Sequence, residues 1–342
     1  MTATGPPDAQ TTDAQTMRAL VLGEFGVPLE PRIVSRPVPQ PGEVLVRVAA
    51  SGVNPLDTKI RAGEAQHARV RVPAILGMDL AGVVTEAGPG VSRFKAGDEV
   101  YGMTGGVGDS PGSLAEYAAV DADLLALKPA RLSMSEAAAL PLSVITAWEG
   151  LVDRAVVGPG QAVLVHGGAG GVGHVAVQLA VARGATVWAT GRPASFRTIR
   201  GLGAQPMSYK TASVEDYLAV SPSGEGFDII FDTAGGATLD QAFQSVRPYT
   251  GHVVSILGWG THSLAPLSFR GASYSGVFTL LPLLTGRGRA HHGQILSEAA
   301  ALVQAGQLTP RLDPGKYQLD SVNQAHNAVE TGAAKGKVVV TI

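Results

Sequence analysis

The chain contains no cysteine. That absence excludes disulfides, cysteine-ligated zinc and a thiol nucleophile. Charge is also sparse: 16% of residues are Asp, Glu, Lys or Arg, and the formal net charge is -2. No basic surface therefore advertises a nucleic-acid partner. No apolar run is long enough to span a bilayer. The eight histidines include no pair at metal-ligand spacing. His291 and His292 are adjacent, which points their rings in different directions, and they read as a surface loop. Neither a Ser-His-Asp order nor a paired-carboxylate pattern stands out, so hydrolase chemistry has no anchor. Residues 1–16 lack the charged start and apolar centre of a signal peptide. Rich in Thr, Ala, Pro and Gln, they read as a flexible tail, and the cytoplasm is the expected compartment.

What is present is a soluble globular pattern, with 342 residues, enough for two domains, and 45% hydrophobic residues. Its centre is the stretch from Val163 to Ala182. Val163-Leu164-Val165-His166 reads as a buried parallel strand. Gly168-x-Gly170-x-x-Gly173 follows, and Val175 to Ala182 begins an apolar helix. Between a strand and a helix, this spacing predicts dinucleotide binding. Gly168 permits the tight turn, Gly170 lets the backbone approach a pyrophosphate, and Gly173 lets helix and strand pack closely. The N–H groups of the intervening Ala169, Gly171 and Val172 stand where a helix N-terminus receives an anion.

Before this stretch the chain is short-stranded. Strands are expected at residues 17–22, 43–48, 80–84, 99–101 and 114–120, with Gly, Pro and Asp turns between them. Ser133-Met134-Ser135-Glu136 is a capping box that opens a helix towards Trp148, and Pro141 kinks or splits it. From Gln161 strands and helices alternate: strands at 163–166, 186–189, 228–231 and 252–256, with helices at 172–183, 195–202 and 239–246. Such repetition predicts a parallel sheet covered by helices on both faces. Later come a helix at 294–304, another capped by Ser321-Val322-Asn323-Gln324 and stopped by Gly332, and a closing strand at 337–342. These last elements break the alternating rhythm, as a return to the first domain would.

At this point the chain resembles the medium-chain dehydrogenase/reductase superfamily, in particular its zinc-free quinone oxidoreductase (zeta-crystallin-like) branch. The resemblance rests on Ser51-Gly52-Val53-Asn54-Pro55-Leu56-Asp57, Gly77-Met78-Asp79-Leu80-Ala81-Gly82, Gly97-Asp98-Glu99-Val100-Tyr101-Gly102, the glycine loop and Gly336-Lys337-Val338-Val339. It implies an α/β fold in which a doubly wound Rossmann domain (140–279) is inserted into an irregular GroES-like β-barrel catalytic domain (17–139 and 280–342). Zinc-using relatives carry Cys where Asn54 stands and His where Met78 stands. Asn and Met are poor zinc ligands, so no metal is expected.

The resemblance also places Asn54 beside the nicotinamide, where its amide can donate to a carbonyl. Thr146 is similar to a family threonine near the same ring. Lys59 occupies a position where related quinone reductases often carry Tyr, and a lysine there can donate a hydrogen bond or a proton. Ile256, Leu257, Phe278 and Thr279 match stretches that flank the nicotinamide. Asp57 and Asp79, acids in apolar settings, are expected to hold loops rather than to act as catalytic acids.

The expected cofactor is NADPH. NAD-binding domains place an acid about twenty residues beyond the glycine loop. Here that strand ends in Thr190-Gly191-Arg192, and no Asp or Glu occurs between Asp153 and Glu215. Arg192 can pair with a 2′-phosphate, Thr190 and Ser195 add hydroxyls, and Tyr209 resembles a family tyrosine that reaches this phosphate. The expected activity is NADPH-dependent, zinc-independent quinone reduction. An enone or double-bond reductase is the runner-up, and a non-catalytic, crystallin-like NADPH-binding protein is a third reading. A homodimer is expected through the Rossmann domains, with the Ser273–Phe278 run as a self-pairing edge strand.

Overall fold

The computed structural model describes residues 15–342. The tail expected over 1–16 lies outside them save for its last two positions, and Thr16 already belongs to the first strand.

The first part of the chain forms β1 (Thr16–Leu22), β2 (Glu30–Ser35), β3 (Glu43–Val53), α1 (Pro55–Ala62), β4 (Ala74–Ile75), β5 (Asp79–Ala87), β6 (Glu99–Met103), β7 (Tyr117–Asp121) and β8 (Leu125–Leu127). β1 pairs antiparallel with β2 and β4. β3 is the organising strand. Along one edge its first half pairs with β7 and its second half with the last strand of the chain, while β5 runs along the other edge. Two register shifts between β3 and β5 bend this sheet, as bulges do. Over residues 43–48, Val44, Leu45, Val46 and Val48 are all buried and Arg47 is exposed.

α2 (Met134–Ala138) and α3 (Pro141–Trp148) lead out of this domain. The Ser133 box forms as expected: its hydroxyl accepts from the Glu136 N–H at 3.2 Å, and Glu136 accepts from the Ser133 N–H at 2.8 Å. Pro141, which has no N–H to continue α2, becomes a first-turn residue of α3.

The next part supplies β9 (Ala162–Val165), α4 (Gly173–Ala182), β10 (Thr186–Gly191), α5 (Phe196–Gly201), β11 (Gln205–Ser208), α6 (Val214–Val220), β12 (Ile229–Asp232), α7 (Ala237–Ser245), β13 (His252–Ser255), α8 (Ala265–Arg270) and β14 (Ser273–Gly276). The six strands form one parallel sheet in the order β11-β10-β9-β12-β13-β14. The chain winds outward from β9 in one direction, then restarts at β12 and winds in the other. The carboxyl ends of β9 and β12 therefore flank the crevice where such sheets bind ligands. Both central strands are buried along their whole length, which accounts for their continuous apolar runs.

α9 (Leu281–Thr285), α10 (Arg289–Gln304), β15 (Tyr317–Gln318), α11 (Val322–Glu330) and β16 (Val338–Thr341) close the chain. β16 pairs with β3 through Val338↔Val53, so the end of the chain returns to the first sheet.

Two local expectations are corrected. His291 and His292 lie on α10, not in a loop. His292 is fully buried with Nε2 3.2 Å from Glu149 Oε1, and His291 Nε2 is 2.8 Å from Asp153 Oδ2. Ser321 does not cap α11 with its side chain. Its hydroxyl instead accepts from the Gln318 N–H at 2.8 Å, which closes the short turn before that helix. No helix among the described residues is long and apolar enough to cross a membrane.

Candidate active site

The glycine loop lies on the crevice side of the parallel sheet. Gly168 donates its N–H to the Thr190 carbonyl at 2.9 Å, and Gly167 donates to the Thr190 hydroxyl at 3.0 Å. The loop is thus braced against the end of β10. A Cβ at Gly168 would strike Ala189, and one at Gly173 would strike the Gly167 carbonyl. Gly170 and Gly171 are exposed. The N–H groups of Ala169, Gly171 and Val172 have no protein acceptor among the described residues. Small residues where the chain is tight, and free donors where it opens, fit a bound diphosphate.

Arg192 stands at the end of β10, exposed, and Tyr209 follows β11 at 45% exposure. The parallel register of β10 and β11 brings them together, and Arg192 Nε donates to the Tyr209 hydroxyl at 3.3 Å. Ser195 sits beside them but donates its hydroxyl to the Arg192 carbonyl at 2.7 Å. Thr190 is buried and occupied with the loop. The outward-facing groups here are the guanidinium and the phenol. A Cβ at Gly191 would crowd the Ser195 hydroxyl and the Ile199 terminal methyl, which would have to shift to admit it.

Asn54 lies between β3 and α1 and is 1% exposed. Its N–H donates to Asp57 Oδ2 at 2.8 Å, the acidic partner in the box that opens α1. Its side-chain Nδ2 donates to Asp79 Oδ2 at 2.9 Å, and its Oδ1 accepts from the Lys337 ammonium. An ammonium only donates and a carboxylate only accepts, so these two partners fix which way the amide faces. Among the described residues the second Nδ2 hydrogen has no protein acceptor. Asp79 also accepts the Leu142 N–H at 2.9 Å, which fastens the first turn of α3 to this network. One turn further on, Thr146 donates its hydroxyl to the Leu142 carbonyl at 2.7 Å and keeps its lone pairs as acceptors.

Two carboxyls and one ammonium share this buried space. Burial pushes Asp57 up to about 7, against the opposing N–H of Asn54, while the nearby Asp79 adds to the rise. One oxygen of Asp57, Oδ1, is buried with no hydrogen-bond partner. Burial also raises Asp79 and lowers Lys337, and each is partly restored by the other across 3.8 Å. Both acids hold backbone, as expected. Lys337 is the residue that reading by pattern missed. It stood in the Gly336-Lys337-Val338-Val339 stretch, but nothing local distinguishes a lysine before an apolar strand from a solvated one.

Lys59 is exposed on α1 and takes no side-chain partner among the described residues; it is not drawn into the network. Beyond β13, Ile256 donates its N–H to the Asp232 carbonyl at 3.1 Å, and Leu257 donates to the Ser255 hydroxyl at 3.1 Å. Phe278 is half-buried and Thr279 buried. Phe278 belongs to an aromatic group that spans the two sheets' domains: His67 lies 5.1 Å from Trp259 and 5.9 Å from Phe278 between ring centroids. Trp259 is 57% exposed. No spacing rule links His67 to Trp259, and sequence reasoning missed this group too.

The described residues contain no group of three or more His, Cys, Asp or Glu able to hold a metal. The side chains hydrogen-bonded to Asn54 are two carboxylates, Asp57 and Asp79, and the Lys337 ammonium, with Asp79 also engaged by Leu142. That set does not suit zinc.

Comparison with known proteins agrees with this architecture. Residues 40–130 match the alcohol dehydrogenase GroES-like domain, and residues 202–340 match the zinc-binding dehydrogenase family. The chain is 36% identical over 306 residues to a 2-methylene-furan-3-one reductase of Solanum lycopersicum, covering 87% of this chain and 71% of that protein. It is 30% identical over 339 residues to the quinone oxidoreductase of Sus scrofa, covering 97% and 99%. Among solved structures, an alcohol dehydrogenase superfamily protein from Novosphingobium aromaticivorans superposes with a TM-score of 0.94 at 55% identity, covering 96% of this chain and all of that one.

Proposed function

The chain belongs to the medium-chain dehydrogenase/reductase superfamily and is an oxidoreductase that uses a nicotinamide cofactor, and on that premise we propose that it is an NADPH-dependent, zinc-independent reductase of conjugated carbonyl acceptors. Quinones and enones both belong to that class, since each joins a C=O to a C=C. The observation that carries the reading is the Asn54 amide: pinned on both sides, it retains a single N–H and stands at a site with no metal-ligand set.

In this reading the loop N–H groups of Ala169, Gly171 and Val172 hold the diphosphate, and Arg192 with Tyr209 holds the 2′-phosphate. Ile256, Leu257, Phe278 and Thr279 flank the nicotinamide, and the Thr146 hydroxyl accepts from its carboxamide. Bound NADPH supplies the hydride. The protein's own work is then positional and electrostatic. The remaining Asn54 N–H stabilises negative charge as it develops on the acceptor oxygen. Trp259, Phe278 and His67 offer ring faces to a flat acceptor. Lys59, solvated on α1, serves as a solvent-side donor at most. The resemblance to both the furanone reductase and the quinone oxidoreductase supports this acceptor class.

The test is NADPH oxidation with 1,4-benzoquinone, 3-buten-2-one and a simple aldehyde as acceptors, and NADP+ reduction with ethanol as donor, before and after chelator treatment. Turnover with the first two, unaffected by chelation, is expected. Activity confined to the alcohol–aldehyde pair and lost on chelation overturns the proposal.

The same reading extends to assembly. β14 is the edge of the six-stranded sheet, and Tyr274 on it is 38% exposed. A homodimer joined along β14 covers this edge. Arg154 already occupies the Gly276 carbonyl at 2.9 Å, so side chains carry much of that contact. Light scattering at micromolar concentration should give twice the chain mass, and a monomeric mass rules this arrangement out.

A further inference from the structure

We propose that Lys337 is a positioning residue that sets the orientation of the Asn54 amide and ties it to the glycine loop. The inference rests on the reading of Asn54 as the group that donates to the acceptor oxygen.

Three side chains from distant parts of the chain close one circuit. Lys337, 5% exposed, donates to Asn54 Oδ1; Asn54 Nδ2 donates to Asp79 Oδ2; and Asp79 Oδ2 lies 3.8 Å from the Lys337 ammonium. A primary amide can rotate by half a turn and exchange its oxygen for its nitrogen at little intrinsic cost. In this circuit the exchange would set an NH₂ against an ammonium and a carbonyl against a carboxylate. The cation and the anion therefore select one orientation, and only in that orientation is the second N–H aimed the same way at every turnover.

The connection to the cofactor side is equally specific. The Lys337 N–H donates to the Arg311 carbonyl at 2.8 Å, and Arg311 donates through its guanidinium to the Ala169 carbonyl at 3.2 Å. The Arg311 N–H also meets His174 Nε2 at 3.3 Å on the first turn of α4. The Lys337 stem passes 3.5 Å from the point where a Cβ on Gly171 would stand. Glycine loop, Arg311, Lys337 and Asn54 thus form a continuous chain of contacts between the two domains. A uniform offset between cofactor loop and amide donor follows from it, and small errors in such an offset are costly to rate.

The test is a double-mutant cycle with Asn54→Ala and Lys337→Met, read as kcat at saturating acceptor and, separately, as the NADPH dissociation constant. Each single variant should lose about 10- to 100-fold in kcat, with NADPH binding changed less than about threefold. The double variant should be no slower than Asn54→Ala alone, because a residue that acts through Asn54 has nothing left to position. Losses that multiply, or a Lys337→Met variant that keeps its kcat and loses NADPH affinity, overturn the inference. If Asn54→Ala itself leaves kcat unchanged, the reading of Asn54 as donor fails. The positioning claim is then decided by the crystal structure of Lys337→Met, where the amide should leave Asp79 or reverse. An unchanged amide there overturns it. Removing one charge of a buried set can prevent folding, in which case Lys337→Met is made in an Asp79→Asn background and read against Asp79→Asn alone; equal kcat in those two variants overturns the inference. Rescue is a further check: the chain has no cysteine, so Lys337→Cys, buried when folded, can be aminoethylated at that position alone in denaturant and refolded, and recovery of kcat is expected.

Discussion

Arg192 and Tyr209 are 17 residues apart in sequence, yet their side chains meet at 3.3 Å because β10 and β11 run parallel in register at the edge of the sheet. A guanidinium and a phenol then face solvent together, with no carboxylate between Asp153 and Glu215 to compete. A charge-assisted hydrogen bond contributes about 1.5–3 kcal/mol. Arg192→Ala should therefore weaken NADPH binding by roughly 10- to 100-fold and leave NADH almost unaffected, as titration of nicotinamide fluorescence would show. Equal losses for both cofactors remove Arg192 from the phosphate site.

The glycines of the loop should differ sharply in tolerance. Gly173→Ala drives a methyl into the Gly167 carbonyl, whereas Gly171→Ala meets only ordinary contact with the Lys337 stem. Thermal melting should show a clear loss for Gly173→Ala, together with loss of NADPH binding, and little change for Gly171→Ala. Equal melting temperatures for the two variants count against the packing described here.

Asp57 predicts a pH effect. Its folded value, about 7, lies above the ordinary 3.8, so between those values the folded chain binds more protons than the unfolded one. Stability contributed by this group therefore falls as pH rises through that window. The full cost at alkaline pH is at most about 4 kcal/mol. Asp57→Asn keeps an acceptor for the Asn54 N–H and removes the ionisation. Its stability relative to the unmodified chain, from urea melts, should improve from pH 5 to pH 8, and a difference independent of pH contradicts the assignment.

Trp259 should report on the crevice. Trp148 and Trp188 are each 6% exposed, against 57% for Trp259. Quenching of tryptophan emission by bound acceptor should be largely lost in Trp259→Leu. The KM for ring-bearing quinones should rise about 2- to 10-fold, in line with the roughly 0.5–1.5 kcal/mol of an aromatic pair, while that for 3-buten-2-one changes little. A uniform change across acceptors places Trp259 outside the acceptor's reach.

Local patterns carried a large share of this protein. The strand, glycine loop and helix from Val163 to Ala182 were legible because each property, from β-branched burial to the glycines of the turn, is set by neighbours in sequence. The break at Pro141 and the Ser133 box were legible for the same reason. Ser321 was misread because two adjacent turns offer it hydrogen bonds and only packing chose between them. His292 was misread because burial against Glu149, 143 residues away, leaves no local trace. The tertiary structure alone decided the inside of the site: Asn54 and Lys337 are 283 residues apart, and His67 meets Trp259 from the other domain. Sequence determined which groups the chain possesses and which it lacks, cysteine above all. Their partners, and with them the orientation of one amide and the proton affinity of one carboxyl, depend on desolvation and distance, which exist only once the two ends of the chain have closed on the same sheet.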